Sequence, residues 1–377
     1  PVACQMLPSP SFMARHRLLW IFLFSLISSD ILAGISANDT LSDSETSRFL
    51  VFPFGIRSPE TKWGIGLATA FFFKANQKET DLRTSDVNIV ALATQKQQLV
   101  LVLNAVVFSS MEKRILRMQT SYSYYPDKTW GIGNHSPEDS KESYDYKQFF
   151  FNPQILHRLH KNLYLGASYE FQHIHDFSYT AGGVFDSQHI AGKNGGKVSG
   201  FGLLLTWDKR NNAYSPSKGF FAELNFTSFD REIGSDYGFT TLTFDIRKFI
   251  PWRTNSVLAL QGIYKSSEGN IPIRNLSALG GPEIMRGYYK GRFADKSYSA
   301  IQAEWRQYLF WRMGVVGFVG AGEVSPELDQ YSLSGIHFAY GFGLRLMIKE
   351  REKLNLRIDY GWSKESHGLY VMIKEAF

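Results

Sequence analysis

Cysteine is almost missing from this chain: the 377 residues contain one, Cys4, and it lies ahead of a segment that reads as an export signal. Without further cysteine there is neither a disulfide framework nor thiolate metal ligation, and redox chemistry is not expected. Beyond residue 37 no apolar run approaches the roughly 20 residues that a membrane-crossing helix needs. Charge of one sign is not concentrated either. The formal net charge is +6, but Lys and Arg are scattered along strands and turns, so no nucleic-acid partner is expected. The chain also lacks a GxSxG elbow, an HExxH pair and a GxGxxG turn, and no enzymatic activity is expected. His173 and His175 lie two apart beside Asp176, with His157 and His160 nearby, yet no motif supplies a further ligand. Neither a metal nor another cofactor is expected.

What is present is aromatic and glycine-rich. Phe, Tyr and Trp make up 15% of the chain, with 32 glycines, and hydrophobic residues are 44%. Such a chain spreads apolar side chains over alternate positions, which is strand composition. Around residue 354 the apolar set is Leu354, Leu356, Ile358 and Tyr360, opposed by Asn355, Arg357, Asp359 and Gly361. Around 338 it is Phe338, Tyr340, Phe342, Leu344 and Leu346, against Ala339, Gly341, Gly343 and Arg345. Around 242 it is Leu242, Phe244 and Ile246, against Thr241, Thr243, Asp245 and Arg247. A greasy face opposite a polar one suits a lipid-facing exterior around a polar lumen, and only a closed sheet satisfies every backbone group in hydrocarbon.

The expected fold is therefore all-β: a transmembrane antiparallel β-barrel of about 16 strands. The expected strands are 49–57, 62–74, 83–94, 97–108, 113–125, 142–158, 162–180, 196–207, 216–229, 234–250 and 253–268, then 296–309, 312–324, 333–348, 352–363 and 367–377. The first of these is interrupted by Pro53. Ahead of the barrel, MARHR from Met13, the apolar run Leu18 to Ile27 and small residues up to Ala37 fit a signal peptide. Residues 1–37 are thus read as upstream segment and signal, 38–48 as a short periplasmic segment, and 49–377 as the outer-membrane barrel, with both termini periplasmic.

The connection between 269 and 295 is long for a hairpin and carries Gly280-Gly281 and Arg286-Gly287-Tyr288. Its run ALGGPEIMRGYYKGRFAD resembles the inward-folded loop of the BamA/TamA superfamily of outer-membrane assembly and translocation barrels, also called bacterial surface antigens. Further matching runs are TWDKRNNAYSPSKGFF with Asp208, Arg210, Pro216 and Gly219, AEWRQYL with Glu304, FVGAGEV with Phe318 and Gly322, LRIDYGW with Asp359, and the terminal EAF with Phe377. The resemblance spans almost all of residues 50–377.

It implies that the loop folds into the lumen and that Arg286 pairs with lumenal carboxylates. Glu304 matches one partner. The family's second acidic position falls on Gly320, and Asp359 has the parity to replace it. Phe377 matches the aromatic terminus read as an insertion signal, although Glu375 stands where an aromatic is usual. About a dozen residues separate Ala37 from the first strand, too few for the family's periplasmic domains, so a barrel-only member is expected. The implied function is to assist insertion or translocation of protein or lipid at the outer membrane. The implied partners are outer-membrane lipid and lipopolysaccharide, unfolded client polypeptides or a separate periplasmic partner. The alternative is a largely plugged channel whose Arg210, Arg247, Arg306, Arg345 and Arg357 favour small anions.

Overall fold

The computed structural model describes residues 47–76, 82–350 and 353–377. The signal peptide and most of the short segment after it lie outside the described residues.

The barrel wall opens with β1 (Ser47–Ser58), β2 (Lys62–Phe73), β3 (Ser85–Thr94), β4 (Leu99–Phe108) and β5 (Arg114–Tyr124). After the three-residue β6 (Asp127–Thr129) come β7 (Glu142–His160), β8 (Leu163–Tyr179), β9 (Gly196–Asp208), β10 (Gly219–Phe229), β11 (Phe239–Pro251) and β12 (Ser256–Gly269). A small hairpin, β13 (Ser277–Leu279) with β14 (Phe293–Asp295), forms inside the long loop. The wall resumes with β15 (Ser297–Phe310), β16 (Met313–Ser325), β17 (His337–Lys349), β18 (Leu354–Ser363) and β19 (His367–Ile373). Seventeen strands share one antiparallel sheet, and without β6 the closed wall has sixteen.

Parity decides the faces. Phe338, Tyr340, Phe342 and Leu344 are exposed on the outside of β17, while Ala339 and Arg345 are buried in the lumen. In β18, Ile358 faces out, and Asn355, Arg357 and Asp359 face in. Charges kept off the lipid face avoid a cost of roughly 2–4 kcal/mol each near the midplane.

Pro53 does not interrupt β1: the strand pairs continuously with β2, Pro53 opposite Leu67. A proline removes one ladder donor and is tolerated near a free strand edge. The other edge of β1 meets β19 through one registered pair, Arg57 with Val371, so little ladder is lost.

Most strand bounds fall within a few residues of the sequence-based expectation, but β11 begins at Phe239 rather than 234 and β17 at His337 rather than 333, because the 3-10 turns Arg231–Ile233 and Leu333–Gly335 occupy the ends of the preceding loops. The connection between β5 and β7 contributes β6, which pairs with the start of β7. The last strand, expected to run to 377, stops at Ile373, where Lys374 takes φ +77° and turns the remaining residues into the lumen.

Connections alternate between the two ends of the wall. At one end they are short, such as 161–162, 252–255 and 311–312, and at the other they include 125–141, 180–195 and 270–296.

Candidate functional site

Residues 270–296 fold down inside the barrel from the long-loop end. Leu279, Met285, Tyr288 and Phe293 from this loop form one buried apolar cluster with Tyr298 and Ala300 of β15, Val324 of β16 and Ala339 of β17. The wall has room because its lumenal face carries glycines at the contact. A Cβ at Gly361 would lie 2.5 Å from the Arg286 carbonyl oxygen, and one at Gly320 would lie 3.3 Å from Met285 Sδ. The position where an acidic side chain is missing thus seats Met285. Gly287 adopts φ +124° with its backbone against Trp362, a conformation and an approach that no other residue fits.

Arg286 is 1% exposed and points among carboxylates. Its Nη1 donates to Asp359 Oδ2 at 2.6 Å and its Nη2 donates to Glu304 Oε1, while the guanidinium stacks 3.6 Å from the Phe318 ring centre. Glu304 and Asp359 are 0% exposed. Three more arginines surround them. Arg306 Nε donates to Glu304 Oε2 at 2.8 Å, Arg345 Nη1 to Asp359 Oδ1 at 2.5 Å, and Arg357 Nη1 to Asp359 Oδ2 at 2.9 Å. Arg357 also donates to the Pro282 carbonyl at 2.8 Å, which ties the network back to the loop.

The inward-turned tail completes the cluster. Glu375 accepts from Arg345 Nε at 2.8 Å and Asn355 Nδ2 at 2.7 Å, and the Phe377 carbonyl accepts from Arg306 Nη2 at 3.0 Å. The Phe377 ring packs with Phe249, Val257 and Ala259. Glu375, which stands where an aromatic is usual, lies with its carboxylate buried among lumenal arginines, because the chain leaves the wall two residues earlier. An insertion signal is read on the unfolded chain, so the folded position of Phe377 does not bear on that role.

The loop also fastens both sides of the seam between β1 and β19. The Lys290 backbone N–H donates to Glu60 Oε1 at 2.7 Å in the β1–β2 turn, and the Gly287 N–H donates to the Tyr370 hydroxyl of β19 at 3.0 Å. Tyr370 donates onward to the Tyr288 carbonyl at 3.2 Å. Burial pushes the Glu60 carboxyl above its ordinary range. Gly280 and Gly281, both at positive φ, turn the chain beside Tyr289 and Lys290.

The structure does not gather every motif residue at this site. Gly322 belongs to it, since a Cβ there would lie 3.3 Å from Leu279 Cδ1. Asp208, Arg210, Pro216 and Gly219 lie at the short-turn end. There Arg210 Nε and Nη2 donate to the Asp208 carboxylate at 2.9 and 3.0 Å, and Arg83 reaches the same carboxylate at 3.0 Å. Pro216 is buried, and Gly219, at φ +116°, would place a Cβ 2.2 Å from the Lys209 carbonyl. Every arginine of the anion-channel alternative has a carboxylate partner, Arg247 pairing with Asp245 at 2.5 Å. His173 and His175 sit with ring centres 5.1 Å apart.

Sequence reasoning missed Tyr370, Glu60 and the partners of Arg345. Parity had placed Arg345 in the lumen, but only the inward tail supplies Glu375.

A closed antiparallel barrel with a glycine-seated loop locked by an arginine among lumenal carboxylates defines a class of outer-membrane protein. The chain belongs to the Omp85 superfamily, whose domain model matches residues 95–368. Among solved structures it resembles CdiB from Escherichia coli, at 10% identity and TM-score 0.58, over 89% of this chain and 64% of that one. It also resembles BamA from Haemophilus ducreyi lacking POTRA domains 1–3, at 13% identity and TM-score 0.56, over 87% of this chain and 70% of that one. CdiB from Acinetobacter baumannii matches at 11% identity and TM-score 0.54, over 87% and 59%. At these identities the likeness is one of fold, and this chain spans less than two thirds of either CdiB chain. No curated protein matches.

Proposed function

We propose that the barrel assists insertion or translocation of protein or lipid at the outer membrane through the seam between β1 and β19, with the Arg286 loop as the latch on that seam. The observation that carries this reading is the pairing at closure. β1 shares twelve registered pairs with β2, and β19 seven with β18, but β1 and β19 share one. That pair lies near the long-loop end, so β1 from Ser47 to Ile56 has its seam edge unpaired toward the short-turn end. An unpaired edge is a template for an incoming strand.

The role is non-enzymatic in this reading, and the relatives' fold supports it without naming a client. Short turns at the end that holds both Ser47 and Phe377 support a periplasmic location for that end, and the long loops face the lipopolysaccharide surface. The client is an unfolded polypeptide, delivered directly or by a separate periplasmic partner. Residues 1–37 act as a cleaved signal, and 49–377 as the working barrel.

The test is reconstitution of the purified chain in liposomes with an unfolded client barrel, following protease-protected client over time beside Arg286→Ala, with single-channel conductance recorded in parallel. Acceleration that the variant loses supports the proposal. No acceleration, with steady anion-selective conductance, overturns it in favour of a channel.

A further inference from the structure

Charges that are scattered in the sequence are divided unequally between the two ends by the hairpin order of the wall, which leaves the short-turn end with exposed cations and few exposed acids. The β4–β5 turn holds Lys113 with Arg114 just beyond it, β7–β8 holds Lys161, β9–β10 Lys209, β11–β12 Arg253 and β17–β18 Lys353, all at the short-turn end. All six are exposed, and none forms an ion pair among the described residues. The described carboxylates of that end are already engaged. Glu112 pairs with Arg83, Asp208 with Arg83 and Arg210, and Glu350 with Arg312. The long-loop end also carries exposed cations, among them Lys62, Lys197, Arg231, Lys290, Lys296 and Lys364, but there exposed acids outside the ion pairs of the described residues accompany them, among them Glu232, Asp236, Glu268, Glu327 and Asp329.

A second feature coincides with the first. Trp252 is 61% exposed and Trp311 78% exposed, each followed directly by an arginine in a short turn. Lys209 Nζ lies 4.8 Å from the centre of the Trp207 ring on the outer face of β9, and the Arg312 guanidinium lies 5.9 Å from that of Trp311. Indole rings settle at the membrane–water interface, which fixes the depth of the cations beside them at the level of lipid phosphates.

We propose that the short-turn end carries a ring of headgroup sites that selects anionic phospholipids from the leaflet it faces. The arrangement favours lipid over an acidic protein. The cations are distributed over turns around the circumference, beside outward indoles, where a surrounding leaflet reaches all of them and a single docked protein reaches few. The proposal is independent of seam opening.

The experiment measures the association of spin-labelled phosphatidylglycerol against spin-labelled phosphatidylcholine with the full chain in vesicles, by electron paramagnetic resonance. The wild type is expected to prefer phosphatidylglycerol by about fivefold per engaged cation at low salt, the value for one basic side chain at an anionic surface, and to lose the preference in 0.5 M salt. Joint replacement of the six residues by Gln removes the preference. Lys62→Gln with Lys128→Gln and Lys364→Gln, at the long-loop end, leaves it intact. Heat-modifiable gel mobility checks that each variant is folded. Absence of preference in the wild type, its survival in the six-residue variant, or equal loss in both variants overturns the proposal. Binding of polyglutamate without a phosphatidylglycerol preference overturns it in favour of an acidic protein partner.

Discussion

The wall at β7 and β8 and the seam between β1 and β19 are the two extremes of this barrel. β7 and β8 are 19 and 17 residues long and share thirteen registered pairs through two bulges. At the seam a 12-residue strand meets a 7-residue strand through one pair. With a net contribution of about 0.5–1.5 kcal/mol per hydrogen bond, the wall separates at the seam at far lower cost than anywhere else. What the seam lacks in ladder it recovers on its lumenal side, where the loop binds Glu60 on one strand pair and Tyr370 on the other. In the proposed function, opening of the seam is thereby coupled to release of a loop that is itself anchored through Arg286.

The largest effect comes from making the seam resemble the wall. Arg57→Cys with Val371→Cys, oxidised across the one registered pair, should abolish client insertion in the liposome assay, with reductant restoring it. A matching cross-link in the wall, Phe149→Cys with His173→Cys, should leave insertion unchanged. Equal activity in both oxidised proteins would remove the seam from the mechanism.

Next is Arg286→Ala. It strips Glu304 and Asp359 of a shared partner while Arg306, Arg345 and Arg357 remain. A broken buried pair costs about 3–5 kcal/mol, read as a lower midpoint of heat modifiability, and Arg286→Lys should restore only part of it. Tyr370→Phe removes the hydroxyl shared by the Gly287 N–H and the Tyr288 carbonyl. It should cost about 1–3 kcal/mol, because a buried donor loses its acceptor, and should raise hydrogen exchange at Gly287.

The smallest effect is set by pH. The Glu60 carboxyl is raised by burial, so the folded protein holds its proton more tightly than the unfolded chain. That contribution is full below the ordinary carboxylate value of 4.5 and is lost as pH rises through the raised value. Glu60→Gln keeps an acceptor for the Lys290 N–H and should flatten the midpoint-against-pH curve over that interval. A curve identical to wild type would show that this carboxyl does not govern the loop's hold on β1.

Alternation made the wall legible because strand parity is a local property: the facing of Phe342 and Asp359 follows from their neighbours alone. Arg286 and Glu304 were legible from the motifs that carry the family resemblance, and Asp359 from its lumenal parity. Glu375 was not. Its partner Arg345 lies 30 residues away, and the two meet only because Lys374 turns the chain inward. The same holds for Lys290 and Glu60, 230 residues apart and joined by a loop that crosses the lumen.

The sequence by itself determined a closed barrel and which residues line it, since period-two patterning and the cost of unpaired backbone in lipid leave no other arrangement, while the resemblance of one loop's run to a known family marked which loop enters it. Only the tertiary structure decided that the closure rests on one registered pair, that the tail completes the lumenal charge network, and that the exposed cations of the short-turn end stand apart from the exposed acids of the other end. Those outcomes depend on strand register and on contacts across the lumen, which no run of neighbouring residues encodes.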